Sequence, residues 1–223
     1  MKILAFETST AFGSLAVMDE SQVYGEEIFY SPKTHSERLI PSVDTLLQRV
    51  GFTLSDMDLF AVAMGPGSFT GLRVGLGTVK AFAKAQHKKV VGVSSLEALS
   101  LNGTLYSGGV CSLLEAGRGE VYAAVYRFQK EEPVQVLEEG VYAPEKLISC
   151  LSSPTVMIGT CRELFKELPR GFLWAPLYLS LPRASHVGTL ALKAVQEGRA
   201  VDPKELSPKY IRLPQAQINL KKH

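Results

Sequence analysis

The chain has 223 residues, of which 46% are hydrophobic and 21% are charged, so it can bury one large core or two small ones. Its 24 basic and 22 acidic residues give a formal net charge of +2, which excludes nucleic-acid binding driven by overall charge alone. Cys111, Cys150 and Cys161 form no C-x-x-C pair, which argues against a disulfide framework and a thiolate metal site. No uncharged apolar run approaches ~18 residues and Glu7 interrupts any signal-peptide core, so we expect a cytoplasmic protein without a membrane anchor.

The beginning of the chain has the pattern of a strand meander followed by a helix. Short apolar runs separated by turn residues predict three strands, at 3–6, 14–18 and 23–30. Thr34 and Glu37 have the spacing of a capping box and predict a helix over 34–50, whose apolar residues recur at helical spacing. Pro41 has no backbone N–H, so we expect it to kink or restart this helix.

A glycine-rich joint between a strand and a helix is the most informative segment. A continuous apolar run predicts a strand over 59–64. This strand leads into the sequence Gly65-Pro66-Gly67-Ser68-Phe69-Thr70-Gly71-Leu72-Arg73-Val74-Gly75. The glycines permit a sharp exit from the strand, and Ser68 is the predicted N-cap of a helix over 68–87. A P-loop would need a lysine and a hydroxyl residue after its second glycine, so the joint is not a phosphate loop of that type.

The predicted helix over 68–87 carries two stripes. One stripe is apolar, recurs at helical spacing and predicts a core-facing side, formed by Phe69, Leu72, Leu76, Val79 and Ala83. Beside it, Gly71, Gly75 and Thr78 form a small-residue flank that leaves room for a close neighbour. Arg73 and Lys80 exclude a membrane-spanning helix. The close neighbour is either another part of this chain or a helix of a second molecule.

The rest of the chain continues the alternation of strands and helices. A strand is predicted at 90–93, and Ser94 and Glu97 have the spacing that caps a following helix. Later strands are predicted at 110–114, 121–128, 134–137 and 155–158. Later helices are predicted at 162–168 and 184–198, on either side of a proline-rich connector over 169–182.

Two hairpins in different halves of the chain have similar sequences. Glu7 and Gly13 precede a strand of one hairpin as Glu115 and Gly119 precede a strand of the other, which indicates a weak internal repeat or a chance similarity. A meander followed by alternating helices and strands predicts an α/β protein with mixed sheets. We divide it into a first lobe over 1–102, a second, less regular lobe over 103–203 and an extended tail over 204–223. Alternatively, the helix at 184–198 packs back on the first lobe.

No residue pattern indicates a catalytic centre. His35 is followed at i+4 by Leu39 and so lacks the second histidine of a helical metal pair. Ser68 occupies a helix cap and is not part of a G-x-S-x-G nucleophile elbow. Glu7 and Glu115 each end a strand beside a turn, where a carboxylate either holds a metal-bound nucleotide or is solvated. We therefore expect neither a catalytic residue nor a bound metal.

The C-terminal tail is locally basic and contains one tyrosine. Lys209, Arg212, Lys221 and Lys222 accompany Tyr210, and such a combination can contact the phosphates of RNA. A solvated chain end is the other interpretation.

Several motifs together resemble the TsaB family, also called YeaZ. The opening strand and turn are similar to those of the family, namely Ile3-Leu4-Ala5-Phe6-Glu7-Thr8-Ser9-Thr10. A helix motif is similar as well, namely His35-Ser36-Glu37-Arg38-Leu39-Ile40-Pro41. The glycine-rich joint resembles the family signature G-P-G-S-F-T-G-L-R-x-G. Later motifs resemble the family more loosely, at Gly119-Glu120-Val121-Tyr122 and Pro208-Lys209-Tyr210-Ile211-Arg212.

The resemblance implies an actin-like fold (the ASKHA fold) built from two RNase H-like lobes with mixed sheets. It also implies a role in tRNA modification. Members of the family act with TsaD and TsaE proteins to place threonylcarbamoyl on adenosine 37 of tRNA. The family member is a non-catalytic subunit without a cofactor of its own, so ATP and metal belong to the TsaD-like and TsaE-like partners. A homodimer is a further expectation for the chain when it is alone.

The resemblance also implies contact residues. In the family, the helices that correspond to 34–50 and 68–87 form the subunit interface. Carried over to this chain, the contact residues are His35, Arg38, Leu39, Leu46, Gly71, Leu72, Gly75 and Val79. A second expectation is contact with nucleotide or tRNA through Glu7, Thr8, Ser9 and Arg212.

A different class of function stays open at this point. An independent ATP-dependent enzyme of the actin-like fold would use Glu7 and Glu115 as magnesium ligands. The turn after Glu7 carries Thr8-Ser9-Thr10 rather than a glycine-rich phosphate turn, which makes backbone approach to phosphates harder.

Overall fold

The computed structural model describes residues 1–31 and 36–212, which fall into two compact units. The first unit contains Met1–Ala98 and Pro182–Pro208, and the second contains Leu99–Leu181 and the described residues from Lys209 onward. The helix predicted at 184–198 therefore belongs to the first unit, which is the alternative that the sequence left open, and not to the second lobe in which the lobe boundaries placed it. The tail predicted from 204 onward is divided between the units at Pro208.

The described chain contains five α-helices and ten strands. The strands are β1 (Ile3–Glu7), β2 (Phe12–Met18), β3 (Val23–Tyr30), β4 (Leu59–Ala63), β5 (Lys89–Val93), β6 (Gly109–Gly117), β7 (Glu120–Gln129), β8 (Glu132–Tyr142), β9 (Thr155–Gly159) and β10 (Phe172–Trp174). The helices are α1 (Leu39–Val50), α2 (Phe69–Ala85), α3 (Ser95–Ser100), α4 (Pro144–Cys150) and α5 (Ala184–Gln196).

The first unit is a mixed sheet with helices on both faces. Its five strands lie in the order β3-β2-β1-β4-β5, in which β1 to β3 form an antiparallel meander and β4 and β5 run parallel to β1. Successive side chains of a strand point to opposite faces. Leu4 and Phe6 accordingly join a core with α1 and α2. Ala5 lies on the other face, where a Cβ atom at Gly188 of α5 would be 3.5 Å away.

The second unit repeats the topology of the first. Its five strands lie in the order β10-β9-β6-β7-β8, with an antiparallel meander from β6 to β8 and with β9 and β10 parallel to β6. The core includes Leu113, Val121 and Met157. The internal repeat is therefore confirmed, and it covers a whole sheet rather than the single hairpin that the sequence indicated.

The position of Pro41 decides where α1 begins. The helix starts at Leu39 instead of at 34, and no side chain caps its N-terminus. Pro41 thereby falls in the first turn, where a helix needs no N–H donor. The predicted capping box includes Thr34, which lies outside the described residues.

The segment between β9 and α5 differs most from the prediction. The predicted helix at 162–168 is only a short 3₁₀ turn, Arg162–Leu164. The proline-rich connector contains β10, which pairs with β9 and was not predicted. A strand of three residues carries too short a pattern for periodicity to detect.

Within the described ranges, no helix combines the length and the apolar character that crossing a membrane requires.

Candidate functional site

The turn after β1 packs against the glycine-rich joint. The backbone N–H of Ser68 donates to the carbonyl oxygen of Ser9 over 2.7 Å, and the Thr8 hydroxyl donates to the carbonyl oxygen of Gly71 over 2.9 Å. A Cβ atom at Gly67 would lie 2.4 Å from the same Ser9 oxygen, so glycine is required for this approach. Two motifs that carry the family resemblance therefore contact each other within the first unit.

The joint is also held by hydrogen bonds of its own. The Ser68 hydroxyl accepts from the N–H of Gly71 over 3.3 Å, which confirms the predicted N-cap of α2. The backbone N–H of Met64 donates to Val93, and the carbonyl oxygen of Gly65 accepts from Ser95. These bonds connect the joint to β5 and to the start of α3.

Glu7 is the ionisable group of this site, and it is fully buried. The backbone N–H of Ser9 donates to Oε1 of Glu7 over 2.5 Å, whereas Oε2 has no hydrogen-bond partner among the described residues. Burial raises the pKa of the Glu7 carboxyl to about 7, against the opposing effect of the hydrogen bonds from Ser9. Glu7 therefore offers no accessible carboxylate oxygen to a magnesium ion.

The small-residue flank of α2 is filled from within the chain. A Cβ atom at Gly75 would lie 2.3 Å from the Thr8 hydroxyl oxygen, which also donates to Gly71. Of the two neighbours that the sequence allowed, the structure therefore has the intramolecular one at Gly71 and Gly75. The physical reason is that β1 and α2 approach too closely for a side chain between them.

Most of the predicted partner-contact residues lie inside the first unit. Four belong to its hydrophobic core: Leu39, Leu46, Leu72 and Val79. The apolar periodicity that identified them marks the side of each helix that packs on the sheet. Arg38 is exposed just before α1, and His35 lies outside the described residues. A partner that docks on the folded unit would therefore meet Arg38 and other exposed residues of these helices rather than the six buried ones.

An apolar groove lies along α1 and is bordered by the segment after this helix and by Phe82 of α2. It has a volume of about 640 Å³, and its apolar lining includes Ile40, Val43, Leu47, Phe52, Leu54 and Phe82. Ile40 keeps 56% of its surface exposed. The ring of Phe82 packs against the core rings of Phe6 and Phe60, with centroids 6.3 Å apart in each pair. The groove is thus continuous with a rigid core and open to solvent.

The outer side of α2 consists of small and basic residues. Gly77 is exposed, and a Cβ atom there would meet nothing within 4 Å. Ala81, Arg73 and Lys84 are exposed on the same helix. Gly77, rather than Gly75, is therefore the small residue of α2 that is open to a neighbouring molecule.

The part of the tail from Lys209 to Arg212 is fixed to the second unit by ion pairs. Arg212 donates to the carbonyl oxygen of Ala116 over 2.9 Å and forms an ion pair with Glu120. Lys209 forms an ion pair with Glu139 over 2.7 Å. Of the four cations predicted to contact RNA phosphates, Lys209 and Arg212 are thus paired with carboxylates, whereas Lys221 and Lys222 lie outside the described residues.

The two strand-end glutamates differ in environment. Glu7 is fully buried, whereas Glu115 is exposed at the end of β6, beside the turn through Gly117 and Arg118. Within residues 1–31 and 36–212, no three His, Cys, Asp or Glu side chains are grouped so that they could hold a metal ion.

No sequence pattern predicted the apolar groove. Its visible signal was Ile40, a large apolar residue that stands outside the core stripe of α1, together with Phe52 just after that helix. Neither residue is unusual alone, because single apolar residues are common on protein surfaces. Only the packing of α1 beside α2 makes them part of one surface.

The chain is similar to proteins of tRNA threonylcarbamoyladenosine biosynthesis. The family model described as "TsaD: tRNA N6-adenosine threonylcarbamoyltransferase" matches residues 30–174. The tRNA threonylcarbamoyladenosine biosynthesis protein TsaB of Bacillus subtilis is 31% identical, over 97% of this chain and 96% of its own length. TsaB of Escherichia coli is 29% identical, over 95% of each chain.

Two solved structures share the fold. An uncharacterized protein from Pseudomonas aeruginosa with similarity to peptidase YeaZ has a TM-score of 0.82 at 30% identity, covering 95% of this chain and 99% of that one. YeaZ from Pseudomonas aeruginosa has a TM-score of 0.80 at 30% identity, covering 94% and 99%. The two mixed five-stranded sheets are those of an actin-like fold. The chain belongs to the family of the TsaD model and, within it, to the TsaB (YeaZ) proteins of tRNA threonylcarbamoyladenosine biosynthesis.

Proposed function

We propose that this chain is a non-catalytic accessory subunit that pairs with a TsaD-like protein, together with a TsaE-like ATPase. In this proposal the complex transfers threonylcarbamoyl to adenosine 37 of tRNA in the cytoplasm. The observation that carries the proposal is the match to TsaB proteins over nearly the full length of both chains. ATP and metal belong to the partner subunits, and this chain holds no cofactor of its own.

The environment of Glu7 supports the non-catalytic role. Magnesium binds charged oxygen ligands that it can reach, usually together with substrate phosphates. Glu7 is buried, has a pKa raised to about 7, and lies beside a turn whose Ser9 carbonyl is covered by Gly67 and Ser68. The alternative of an independent ATP-dependent enzyme needs Glu7 as an accessible ligand, so this geometry does not favour it.

The outer side of α1 and α2 supports a docking role. The groove that includes Ile40 and Phe82 is apolar and open to solvent. Apolar clefts with rigid walls are typical of sites that receive an amphipathic helix. We infer that the TsaD-like partner, or a second copy of this chain when the partner is absent, packs a helix against this surface.

Reconstitution of tRNA modification tests the proposal. Purified TsaD-like and TsaE-like proteins of the same organism receive tRNA and threonylcarbamoyl-adenylate, with and without this chain. We expect modified tRNA to accumulate only when the chain is present. Equal modification without the chain would contradict the accessory role, and ATP hydrolysis by the chain alone that Glu7→Ala abolishes would favour the enzyme instead.

A matched pair of substitutions tests the docking surface. Ile40→Asp introduces a charge into the apolar groove, whereas Val136→Asp makes a similar change at a comparably exposed position of β8 in the second unit. Desolvating a carboxylate in an interface is costly, so we expect Ile40→Asp to weaken partner binding by at least about tenfold. Analytical ultracentrifugation of the mixed subunits gives the affinity, and equal affinities for both variants would contradict this surface.

A further inference from the structure

A basic groove lies at the end of α2, away from the apolar groove. It has a volume of about 460 Å³ and is bordered by the last turn of α2, the start of β5 and the turn after Val201. Its charged and imidazole side chains are Lys84, His87, Lys88, Lys89, Asp202 and Lys204. Its lining in the described residues contains no Phe, Tyr or Trp side chain, and the imidazole of His87 is its one aromatic ring.

Backbone hydrogen bonds hold the walls of the groove in place. The helix ends with a turn in which His87 has a φ of 53° and the N–H of Lys88 donates to the carbonyl oxygen of Ala83 over 2.9 Å. Val90 and Val201 exchange two backbone hydrogen bonds of 3.0 and 2.9 Å. This bridge fixes the turn that carries Lys204 beside the start of β5.

The charge of the groove is strongly positive in a chain whose net charge is small. Lys88 is the only one of its four lysines that has an ion-pair partner among the described residues, Asp58 at 3.8 Å. Asp202 uses one carboxylate oxygen to accept from the backbone N–H of Lys204 over 2.9 Å. Lys84, Lys89 and Lys204 therefore point three exposed charges at one groove without a carboxylate partner in the described chain.

These features match the recognition of phosphate groups in an RNA backbone. Lysine binds phosphate as a flexible point charge, and such contacts position a nucleic acid without reading its bases. A site for a free nucleotide would need an enclosed surface on which the base stacks, whereas the described lining contains no Phe, Tyr or Trp, and its one imidazole, that of His87, is exposed to solvent. A groove of this size can receive a few phosphate groups of one backbone segment, while the rest of the RNA would lie outside it.

We propose that the groove of Lys84, Lys89 and Lys204 binds backbone phosphates of tRNA. The proposal rests on the proposed function, because that function makes tRNA the substrate of the complex. It is a different contact from the one that the sequence suggested in the tail, where Lys209 and Arg212 are paired with Glu139 and Glu120. The groove gives the complex an anchoring contact on this subunit that does not depend on the sequence of the tRNA.

Salt-dependent tRNA binding tests the groove. Unmodified tRNA is titrated with the full chain and with its complex with the TsaD-like partner, by fluorescence anisotropy at several salt concentrations. One variant carries Lys84→Gln, Lys89→Gln and Lys204→Gln. The control carries the same loss of charge at exposed lysines of the second unit, Lys130→Gln, Lys146→Gln and Lys166→Gln. Circular dichroism verifies that both variants fold.

We expect the groove variant, and not the control variant, to bind tRNA at least about tenfold more weakly near 0.1 M salt. Each phosphate contact contributes about 0.7 to 0.9 to the slope of log affinity against log salt concentration. The slope should fall by about 2 when the three lysines are neutralised. Equal affinity for tRNA and equal salt slope in the two variants would overturn the proposal that the groove binds tRNA. The proposal would also be overturned if the groove variant lost the binding of inorganic pyrophosphate but kept its affinity for tRNA.

The same variants separate this inference from the proposed function. If the groove variant supports modification at saturating tRNA but needs at least about tenfold more tRNA for half the maximal rate, both proposals hold. If modification requires the wild-type chain but the groove variant matches the control in rate and in tRNA binding, the proposed function holds and only the proposal of tRNA binding by the groove is overturned. If modification needs no chain at all, the proposed function fails, and the salt slopes of the chain alone still decide whether the groove binds RNA.

Discussion

At the end of β1, the carboxyl group of Glu7 is fully buried, and only Oε1 accepts a hydrogen bond within the described chain. Burial raises its pKa from 4.5 to about 7 because a low-dielectric environment disfavours the charged form. The neutral acid is therefore favoured more strongly in the folded protein than in the unfolded chain. The resulting stability is fully present below about pH 4.5 and is lost as the pH rises through about 7.

Replacement of Glu7 by its neutral isostere should remove this pH dependence. We expect Glu7→Gln to unfold at a higher urea concentration than wild type at pH 8, with a free-energy difference of up to about 3 kcal/mol that shrinks toward zero near pH 4.5. Urea unfolding between pH 4.5 and 8 measures the difference. Glu115→Gln, at an exposed strand end, is the control for the loss of a carboxylate. A Glu7→Gln profile parallel to that of wild type would refute the raised pKa.

At the scale of one element, two glycines of α2 have opposite surroundings. Gly75 faces β1, where a Cβ atom would lie 2.3 Å from the Thr8 hydroxyl oxygen, whereas Gly77 faces open space. Glycine in a helix interior costs up to about 1 kcal/mol relative to alanine because of its backbone entropy. Glycine is nevertheless needed at position 75, because α2 and the turn after β1 could not approach each other as closely if this residue had a side chain.

Alanine substitutions at these two glycines should act in opposite directions. Gly75→Ala overpacks the contact with Thr8, and we expect a loss of about 1 to 3 kcal/mol in the free energy of unfolding. Gly77→Ala should instead gain up to about 1 kcal/mol, because the new methyl group meets nothing and the helix propensity improves. Chemical denaturation compares both variants with wild type.

A double-mutant cycle checks the cause of the loss at Gly75. Thr8→Ala removes the hydroxyl that the new methyl group would strike, so we expect Gly75→Ala to cost less in that background than in wild type. Equal costs in the two backgrounds would show that the contact with Thr8 does not limit the size of residue 75.

At the scale of the whole molecule, the first unit is closed by a segment that is distant in sequence. Helix α5 contacts β1, β2, β4 and β5, and its buried residues include Val187, Leu190 and Ala191. Its N-terminus is tied to the sheet, because the Ser14 hydroxyl accepts from the backbone N–H of Ala184 over 3.0 Å. One face of the first sheet therefore stays uncovered until residues 182–208 have been synthesised and have packed.

Removal of this segment should unfold the first unit. A chain that ends at Leu181 loses the apolar contacts of α5, worth on the order of 5 kcal/mol, which is comparable to the total stability of many domains. We expect hydrogen exchange to show protection in β6, β7 and β9 but not in β1, β2 and β4. Addition of a peptide spanning 182–212 should restore protection of the first sheet. Full protection of β1 without the peptide would mean that α5 is dispensable for this unit.

Local sequence patterns were sufficient for much of the fold. The order of strands and helices in the first unit, the N-cap at Ser68 and the sharp joint at Gly65 were predicted correctly, because hydrophobic period and turn residues act over a few neighbouring positions. In the second unit, the short helix α4 was not predicted, and the helix predicted at 162–168 is a 3₁₀ turn. The same motifs identified the TsaB family. Errors were concentrated at element ends, as at α1, where Pro41 selects the first turn, and in the short strand β10.

The sequence by itself determined which elements form and which family the chain belongs to, whereas only the tertiary structure decided which surfaces remain available for function. The space beside Gly75 is occupied by Thr8, and Leu72 faces the core, because β1 and the turn after it pack against α2. Arg212 pairs with a glutamate of β7, while Lys84 stays open on a groove. These contacts join residues that are far apart in the chain, and a local pattern contains no information about which distant partner will cover a side chain.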